Sequence, residues 1–252
     1  MITNKQVMLA FAAAFILFHL SFAYFNVTGL NTTVYLSNST SAQVTESLRV
    51  FISNSSIPAY VRDRAAVNQT LGNWQSVLNT NLLVQHVFNP KSSIDNFTLL
   101  PGPAVPQGEN AYAYITFTYV ANNVTEIRQI SPRKFEYTFN DSSFNFRHTA
   151  SGEALFENAT LTIVLPKGAK LVMPVYPIPD YPYSYANASS LMWFNAEPLN
   201  NFRLSYVITE SPQQEVANFF THLYPQHAVV VYVLIAFFAG IVVLFTYRRF
   251  AS

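Results

Sequence analysis

Ten Asn-x-Ser/Thr sequons lie between two hydrophobic segments, and this arrangement constrains the fold more than any other feature of the chain. A sequon is an acceptor for N-linked glycan only where the chain has been translocated across a membrane. So many acceptors between two apolar segments predict an exported glycoprotein ectodomain. The predicted glycosylation sites are Asn26, Asn31, Asn38, Asn54, Asn68, Asn96, Asn123, Asn140, Asn158 and Asn187.

The C-terminal hydrophobic segment, residues 228–247 (AVVVYVLIAFFAGIVVLFTY), contains no charge and no Pro. A helix of this length spans about 30 Å, which is the thickness of a hydrocarbon core. Arg248 and Arg249 follow directly, and positive charge beside a span marks the cytoplasmic side. The segment is therefore predicted to be a transmembrane helix in the lipid bilayer, with residues 248–252 as a short cytoplasmic tail.

The N-terminal segment, residues 1–25, has two interpretations. Lys5 precedes an apolar run, and Ser21-Phe22-Ala23 fits the small-x-small pattern of a signal-peptide cleavage site. The same run is long enough to remain as an uncleaved signal anchor. Both interpretations place the middle of the chain outside the cell membrane.

Composition excludes several classes of function. Charged residues make up 11% of the chain and the net charge is +1, so there is no basic patch for nucleic acid. The absence of Cys excludes thiol nucleophiles and thiolate metal sites. Exported eukaryotic domains usually carry disulfides, so a Cys-free ectodomain rich in sequons favours an archaeal surface protein.

The first half of the ectodomain changes its periodicity. Residues 44–52 alternate apolar and other side chains, which predicts a strand with one buried face. Residues 57–80 instead have helical spacing, which predicts one amphipathic helix or a pair broken near Gly72. The helical stripe consists of Tyr60, Val67, Leu71, Trp74 and Leu78. A loop is predicted from Asn89-Pro90 to Pro101-Gly102-Pro103.

The second half is rich in aromatic and β-branched residues at intervals of about ten, which predicts an antiparallel β-sandwich. Residues 26–210 would then form one extracellular β-rich domain. Ser211-Pro212-Gln213-Gln214 predicts the start of a juxtamembrane helix over residues 211–227. The predicted strands are residues 113–120, 134–140, 143–147, 159–165, 191–194 and 202–209.

The Pro-rich segment Pro174–Tyr183 (PVYPIPDYPY) is predicted to be an extended, polyproline-like connection, since Pro lacks the amide that a central strand needs. Such a segment exposes its side chains, and rigid Tyr rings bury area at low entropic cost. Tyr176, Tyr181 and Tyr183 are therefore the candidate binding residues. The alternative is that these rings pack back on the domain.

No constellation predicts chemistry. The five His residues include no helical pair with an intervening Glu, and Glu153 and Glu157 are the nearest approach to a paired-carboxylate site. Four residues apart beside a loop, they are typical of solvated acids. There is no nucleophile-elbow or phosphate-loop motif. The sequence thus predicts no catalytic residues, no metal ligands and no cofactor, and favours a protein that is not an enzyme.

The C-terminal third carries a resemblance. Leu165-Pro166-Lys167-Gly168-Ala169-Lys170 ends a strand, and a Pro-rich stretch, Trp193, a strand ending near Tyr206 and a span with a basic tail follow. This order resembles the membrane-proximal β-domains of archaeal surface proteins of unknown function. It is also similar to the end of ribophorin, a non-catalytic subunit of the oligosaccharyltransferase. The resemblance assigns no functional residues.

Together these patterns predict a non-catalytic, membrane-anchored cell-surface glycoprotein with a binding, adhesion or envelope-structural role. Its expected partners are other surface or membrane proteins, with glycans as a further ligand. Two alternatives stay open: an accessory subunit of a membrane complex, for example in glycan transfer or export, and an exported hydrolase.

Overall fold

The structure is a computed structural model, and it describes residues 25–66, 69–182, 184 and 186–213. Residues 1–24 of the predicted signal segment, the predicted transmembrane helix at 228–247 and the predicted cytoplasmic tail lie outside these residues, as does most of the predicted juxtamembrane helix at 211–227. Pro212 and Gln213 have helical backbone, as the helix-start motif predicts. Within the described ranges, no helix is long and apolar enough to cross a membrane.

The described chain is mainly β, as the sequence predicts. Two α-helices, α1 (Ile57–Arg64) and α2 (Leu71–Leu78), accompany the strands. The strands are β1 (Phe25–Leu36), β2 (Ala42–Ile52), β3 (Ile94–Pro101), β4 (Val105–Gln107), β5 (Asn110–Ala121), β6 (Thr125–Ser131), β7 (Lys134–Phe139), β8 (Arg147–Thr149), β9 (Gly152–Ala154), β10 (Ala159–Val164), β11 (Lys170–Tyr176), β12 (Ser190–Phe194) and β13 (Arg203–Thr209).

Seven of these strands form the larger sheet, in the order β12-β10-β1-β2-β5-β3, with β4 also paired to β5. The smaller sheet has the order β11-β13-β7-β6, and β8 and β9 form a separate hairpin. β1 and β10 run parallel, whereas the other ladders of the larger sheet, the β11–β13 pair and the β8–β9 pair are antiparallel. The prediction of a purely antiparallel arrangement is therefore wrong at one ladder, and the larger sheet is mixed.

The described residues divide into two compact units, the larger formed by residues 25–127 and 137–207, the smaller by 128–136 and 208–213. In the larger unit, β2 and β5 alternate strictly between buried and solvent-facing side chains, so one face of the larger sheet lines the core. Residues of the smaller sheet reach this core too: the Tyr206 hydroxyl donates to the Ser37 carbonyl at 3.0 Å. Trp193 packs edge-on against Phe202, with ring centroids 5.2 Å apart.

In the smaller unit, Arg128 forms an ion pair with Glu136 at 2.6 Å across the β6–β7 hairpin. The amide of Glu210 donates to the Arg133 carbonyl at 2.8 Å.

The helical segment is a pair, but the break falls at residues 65–70 and not at Gly72. Thr70 caps α2 by accepting from the Asn73 amide, which fixes the helix start before Gly72. A Cβ at Gly72 would meet open space, so this residue lies in the helix without a packing role. Trp74 is buried and packs on Tyr60 of α1, whose ring in turn contacts Phe25 of β1.

Two further predictions are wrong in detail. The region 89–103 is not all loop, because residues 94–101 form β3 at the edge of the larger sheet, where a terminal Pro costs no ladder bond. Residues 143–147 do not form one strand: Ser143 ends a 3-10 turn, Phe144 makes only an isolated bridge with Val87, and Arg147 begins β8. Phe144 and Phe146 are nevertheless buried.

Candidate functional site

The exposed apolar side chains of β11 and the residues after it form the best-defined candidate surface. Met173, Tyr176 and Ile178 keep 51%, 52% and 67% of their surface exposed, whereas Val175, Pro177 and Pro179 are buried. The segment is therefore extended with one buried face and one solvent face. We call Met173, Tyr176 and Ile178 the apolar stripe.

The buried face anchors the stripe. Trp193 is fully buried, and its indole N–H donates to the Pro177 carbonyl at 3.0 Å. The peptide bonds before Pro174, Pro177 and Pro182 are cis. Residues 174–176 belong to β11, so the segment is partly strand and not wholly the extended, polyproline-like connection that the sequence predicts.

Tyr181 lies beside the larger sheet. It forms an isolated antiparallel bridge with Met192 of β12 and keeps 59% of its surface exposed. The neighbouring Asp180 accepts from the Phe194 amide at 2.9 Å. Burial, and to a smaller extent the negative charge of Asp180, raises the pKa of the Glu197 carboxyl above its usual value. Because Tyr181 is bridged to β12, it is not part of the apolar stripe on and after β11. Tyr183 lies outside the described residues.

The sequon asparagines are consistently accessible. Nine of the ten are described, and eight of these nine are exposed, whereas only five of the ten other described Asn residues are exposed. The exception, Asn140, is half-buried, because its side chain accepts from the amide of Ser142 and caps a 3-10 turn. Asn68 is not among the described residues. The acceptor atoms thus lie where a large glycan can be attached without entering the core.

A buried polar cluster of Glu46, His86 and Tyr119 lies in the core. The Glu46 carboxylate accepts from the His86 amide at 2.7 Å and from the Tyr119 hydroxyl at 2.5 Å, and it also contacts His86 Nδ1. The Tyr119 hydroxyl accepts from the Val87 amide at 3.1 Å. These bonds tie the loop at residues 86–87 to the centre of the larger sheet.

The cluster is sealed from solvent. Glu46 and His86 are fully buried, and the His86 ring stacks on Phe146 with Phe156 at its edge. Burial, and next the charge of Glu46, raise the pKa of the Tyr119 phenol well above its usual value, which keeps it a neutral donor. The cluster therefore holds the loop at residues 86–87 against the sheet through buried hydrogen bonds.

The sequence contained one signal for this cluster. Glu46 occupies an inward position in the alternation of β2, and a carboxylate on a buried face needs a partner. The partner is forty residues away in sequence and lies in a loop, so no local pattern indicates it.

The other acids that the sequence singled out have structural contacts. Glu153 accepts from the Phe146 amide at 3.1 Å and pairs with His148 at 2.7 Å, while Glu157 is exposed. The side chain of His148 is mostly solvent-exposed. Among the residues described, no group of three or more His, Asp or Glu side chains is placed to hold a metal ion.

No protein-family model matches the chain, and no curated protein is significantly similar to it. Function therefore has to be argued from the chain's own surfaces.

Proposed function

We propose that the protein is a membrane-anchored cell-surface glycoprotein whose ectodomain acts by binding and not by catalysis. The observation that carries the proposal is the accessibility of the sequon asparagines, eight of nine exposed against half of the other described Asn residues. An exported chain needs such acceptors on its surface, whereas a chain that is never translocated has no reason to keep them there. The apolar segment at 228–247 supplies the anchor.

The ectodomain proposed here is a β-sandwich built from the larger and the smaller sheet. Its support comes from the larger unit, where the hydroxyls of Tyr137 and Tyr206 donate to carbonyls in the turn after β1. The rings of these two tyrosines stack with centroids 5.0 Å apart, and both rings are buried.

The two sheets differ in their sequons, and this difference supports a choice of binding face. Asn26 and Asn31 lie in β1, Asn96 lies in β3, and Asn158 directly precedes β10, all in the larger sheet. No sequon Asn lies in β6, β7, β11 or β13, the strands of the smaller sheet. Asn140 directly follows β7 and Asn123 lies two residues before β6, so the smaller sheet has sequons at strand ends but none within its strands. A surface that binds another protein must stay clear of bulky glycan, and β11 has no sequon Asn within it or directly beside it.

The apolar stripe on β11 is the contact that we assign to this face. β11 is an edge strand that contains Pro174 and is followed by Pro177 and Pro179, and prolines on an edge oppose its extension by another chain. We therefore assign binding to its side chains. Exposed Met173, Tyr176 and Ile178 fit an apolar patch on a neighbouring surface protein, since aromatic and Met side chains are enriched in interface cores.

The test compares the full-length protein with Tyr176→Ser/Ile178→Ser in native membranes, after mild-detergent extraction and crosslinking. Val105→Ser is the matched control, because Val105 is equally exposed but lies on β4 of the larger sheet. We expect the double variant to lose its crosslinked neighbour while the control keeps it. A different protein as the neighbour would favour the accessory-subunit alternative, and a second copy would favour the envelope role. Unchanged crosslinking in the double variant would refute the binding face.

A further inference from the structure

The solvent face of the larger sheet carries an array of hydroxyl side chains. Strand register places five threonines in one row across five neighbouring strands, and the adjacent row contains two more threonines, one serine and Asn31. We call these two rows the hydroxyl face. The first row is Thr162, Thr33, Thr45, Thr118 and Thr98, and the second is Thr160, Asn31, Ser47 and Thr116.

Several of these hydroxyls have unused hydrogen-bonding capacity. Thr98 and Thr118 bond to each other at 2.6 Å, and Ser47 and Thr116 lie 3.4 Å apart. The hydroxyls of Thr33, Thr45, Thr160 and Thr162 have no partner among the described residues. Each hydroxyl offers one donor and two acceptor positions, so the face can bond a polar ligand over its whole width.

Asn31 stands near the centre of this face. It is exposed, and its strand, β1, has β10 on one side and β2 on the other. Its sequon hydroxyl, Thr33, belongs to the five-threonine row. A glycan attached at Asn31 therefore has sheet on both sides and begins in contact with the hydroxyl face.

One edge of the face is aromatic. Phe194 lies in the same row as Asn31, two strands away through Thr160, which is a distance of about 10 Å. A disaccharide can span this distance. Phe194 keeps 37% of its surface exposed, and exposed Tyr181 is bridged to Met192 next to it in β12. Sugars combine hydroxyl edges with apolar C–H faces, which suit a hydroxyl surface bordered by aromatic rings.

We propose that the first sugars of the glycan on Asn31 lie on the hydroxyl face, hydrogen-bonded to its threonines and packed against Phe194. The proposal rests on the proposed function, because it requires that Asn31 is glycosylated. The glycan is then a structural cover of the larger sheet, and it closes this face to protein partners. The hydroxyl face is thus an intramolecular carbohydrate site, distinct in position and chemistry from the apolar stripe.

The test uses hydroxyl-radical footprinting of the full-length glycoprotein from its native membrane. Asn31→Gln removes the covering glycan, whereas Asn38→Gln removes an exposed glycan from the turn between β1 and β2. We expect oxidation of Phe194 to rise several-fold in the Asn31 variant and to stay at the native level in the Asn38 control. Equal oxidation in the native protein and the Asn31 variant would overturn the proposal.

A second variant keeps the glycan and changes the surface under it. Thr45→Val/Phe194→Ser leaves every sequon intact. Mild periodate oxidises sugar diols, and the rate at each site can be followed by mass spectrometry. We expect the Asn31 glycan to react more slowly than the Asn38 glycan in the native protein and at the same rate in the variant.

Glycopeptide mapping distinguishes a failure of this inference from a failure of the proposed function. If the other sequons carry glycan and Asn31 does not, this inference falls and the proposed function stands. If no sequon carries glycan, both fall. Equal periodate rates at the two sites in the native protein overturn the inference alone.

Discussion

Replacing Glu46 with Ala should destabilise the protein by about 3–5 kcal/mol, because it removes the acceptor at the centre of the buried cluster. The His86 amide, His86 Nδ1 and the Tyr119 O–H would each lose their partner, and the Tyr119 oxygen would only keep accepting from the Val87 amide. A buried polar group left without a partner costs about 1–3 kcal/mol, so three such groups, each near the lower end, give the stated range. This is a large part of a typical total stability of about 5–15 kcal/mol.

The measurement is urea unfolding of the full-length protein in detergent, followed by tryptophan fluorescence. The chain has two Trp residues, Trp74 and Trp193, and both are buried in the larger unit, so the signal reports this unit. Glu157→Ala is the control, since Glu157 is exposed and should change stability by no more than about 0.5 kcal/mol. A loss below about 1 kcal/mol for Glu46→Ala, the worth of one ordinary hydrogen bond, would refute the reasoning.

Three further predictions concern helix packing, tyrosine titration and glycosylation. Trp74→Ala should cost about 3–5 kcal/mol, since the ring fills the contact between α2 and Tyr60; an unchanged unfolding midpoint would mean that the helices are not packed on the domain. Burial raises the pKa of Tyr60 to about 12, so the stabilising effect of its neutral phenol is complete below pH 10 and is lost as pH rises from 10 through 12. Burial also raises the pKa of Tyr206, so its neutral phenol stabilises the fold in the same sense and begins to lose this effect above pH 10. Unfolding midpoints measured from pH 8 to 12 would contradict this assignment if they stayed level. Intact-mass spectrometry before and after deglycosylation should find glycan on most sequons from Asn31 onward, and on Asn26 only if the signal segment is cleaved or the site is clear of the membrane.

Strands with one buried face and one solvent face could be predicted from the sequence. β2 and β5 are half-buried over their whole length, so their side chains alternate and the pattern identifies them. Residues 143–147 show the limit of this argument. Phe144 and Phe146 are both buried, but the chain between them is not in a ladder, since alternation indicates which side chains are buried and not how the backbone is bonded.

Contacts between distant parts of the chain could not be predicted. The sequence predicts one amphipathic helix or a pair broken near Gly72, but the cap formed by Thr70 decides where α2 begins. The Pro-rich composition leaves two possibilities for these tyrosines, an exposed contact surface or rings packed back on the domain, and Tyr176 and Tyr181 are exposed. Their separation onto β11 and beside β12 depends on pairing with strands that no local pattern identifies.

The parallel ladder between β1 and β10 has a consequence for how the chain folds. β1 can pair with β2 as soon as both are synthesised, since they are joined by a short turn, but β10 begins only at Ala159. Until then one edge of β1 has unpaired amides and carbonyls, and such an edge invites pairing with other chains. Two acceptors, Asn26 and Asn31, lie in β1 itself, so we expect sugars added during translocation to shield this edge sterically while its partner strand is still being made. The protein would then depend most on its glycans before it is folded, in the interval when β1 has been synthesised and β10 has not.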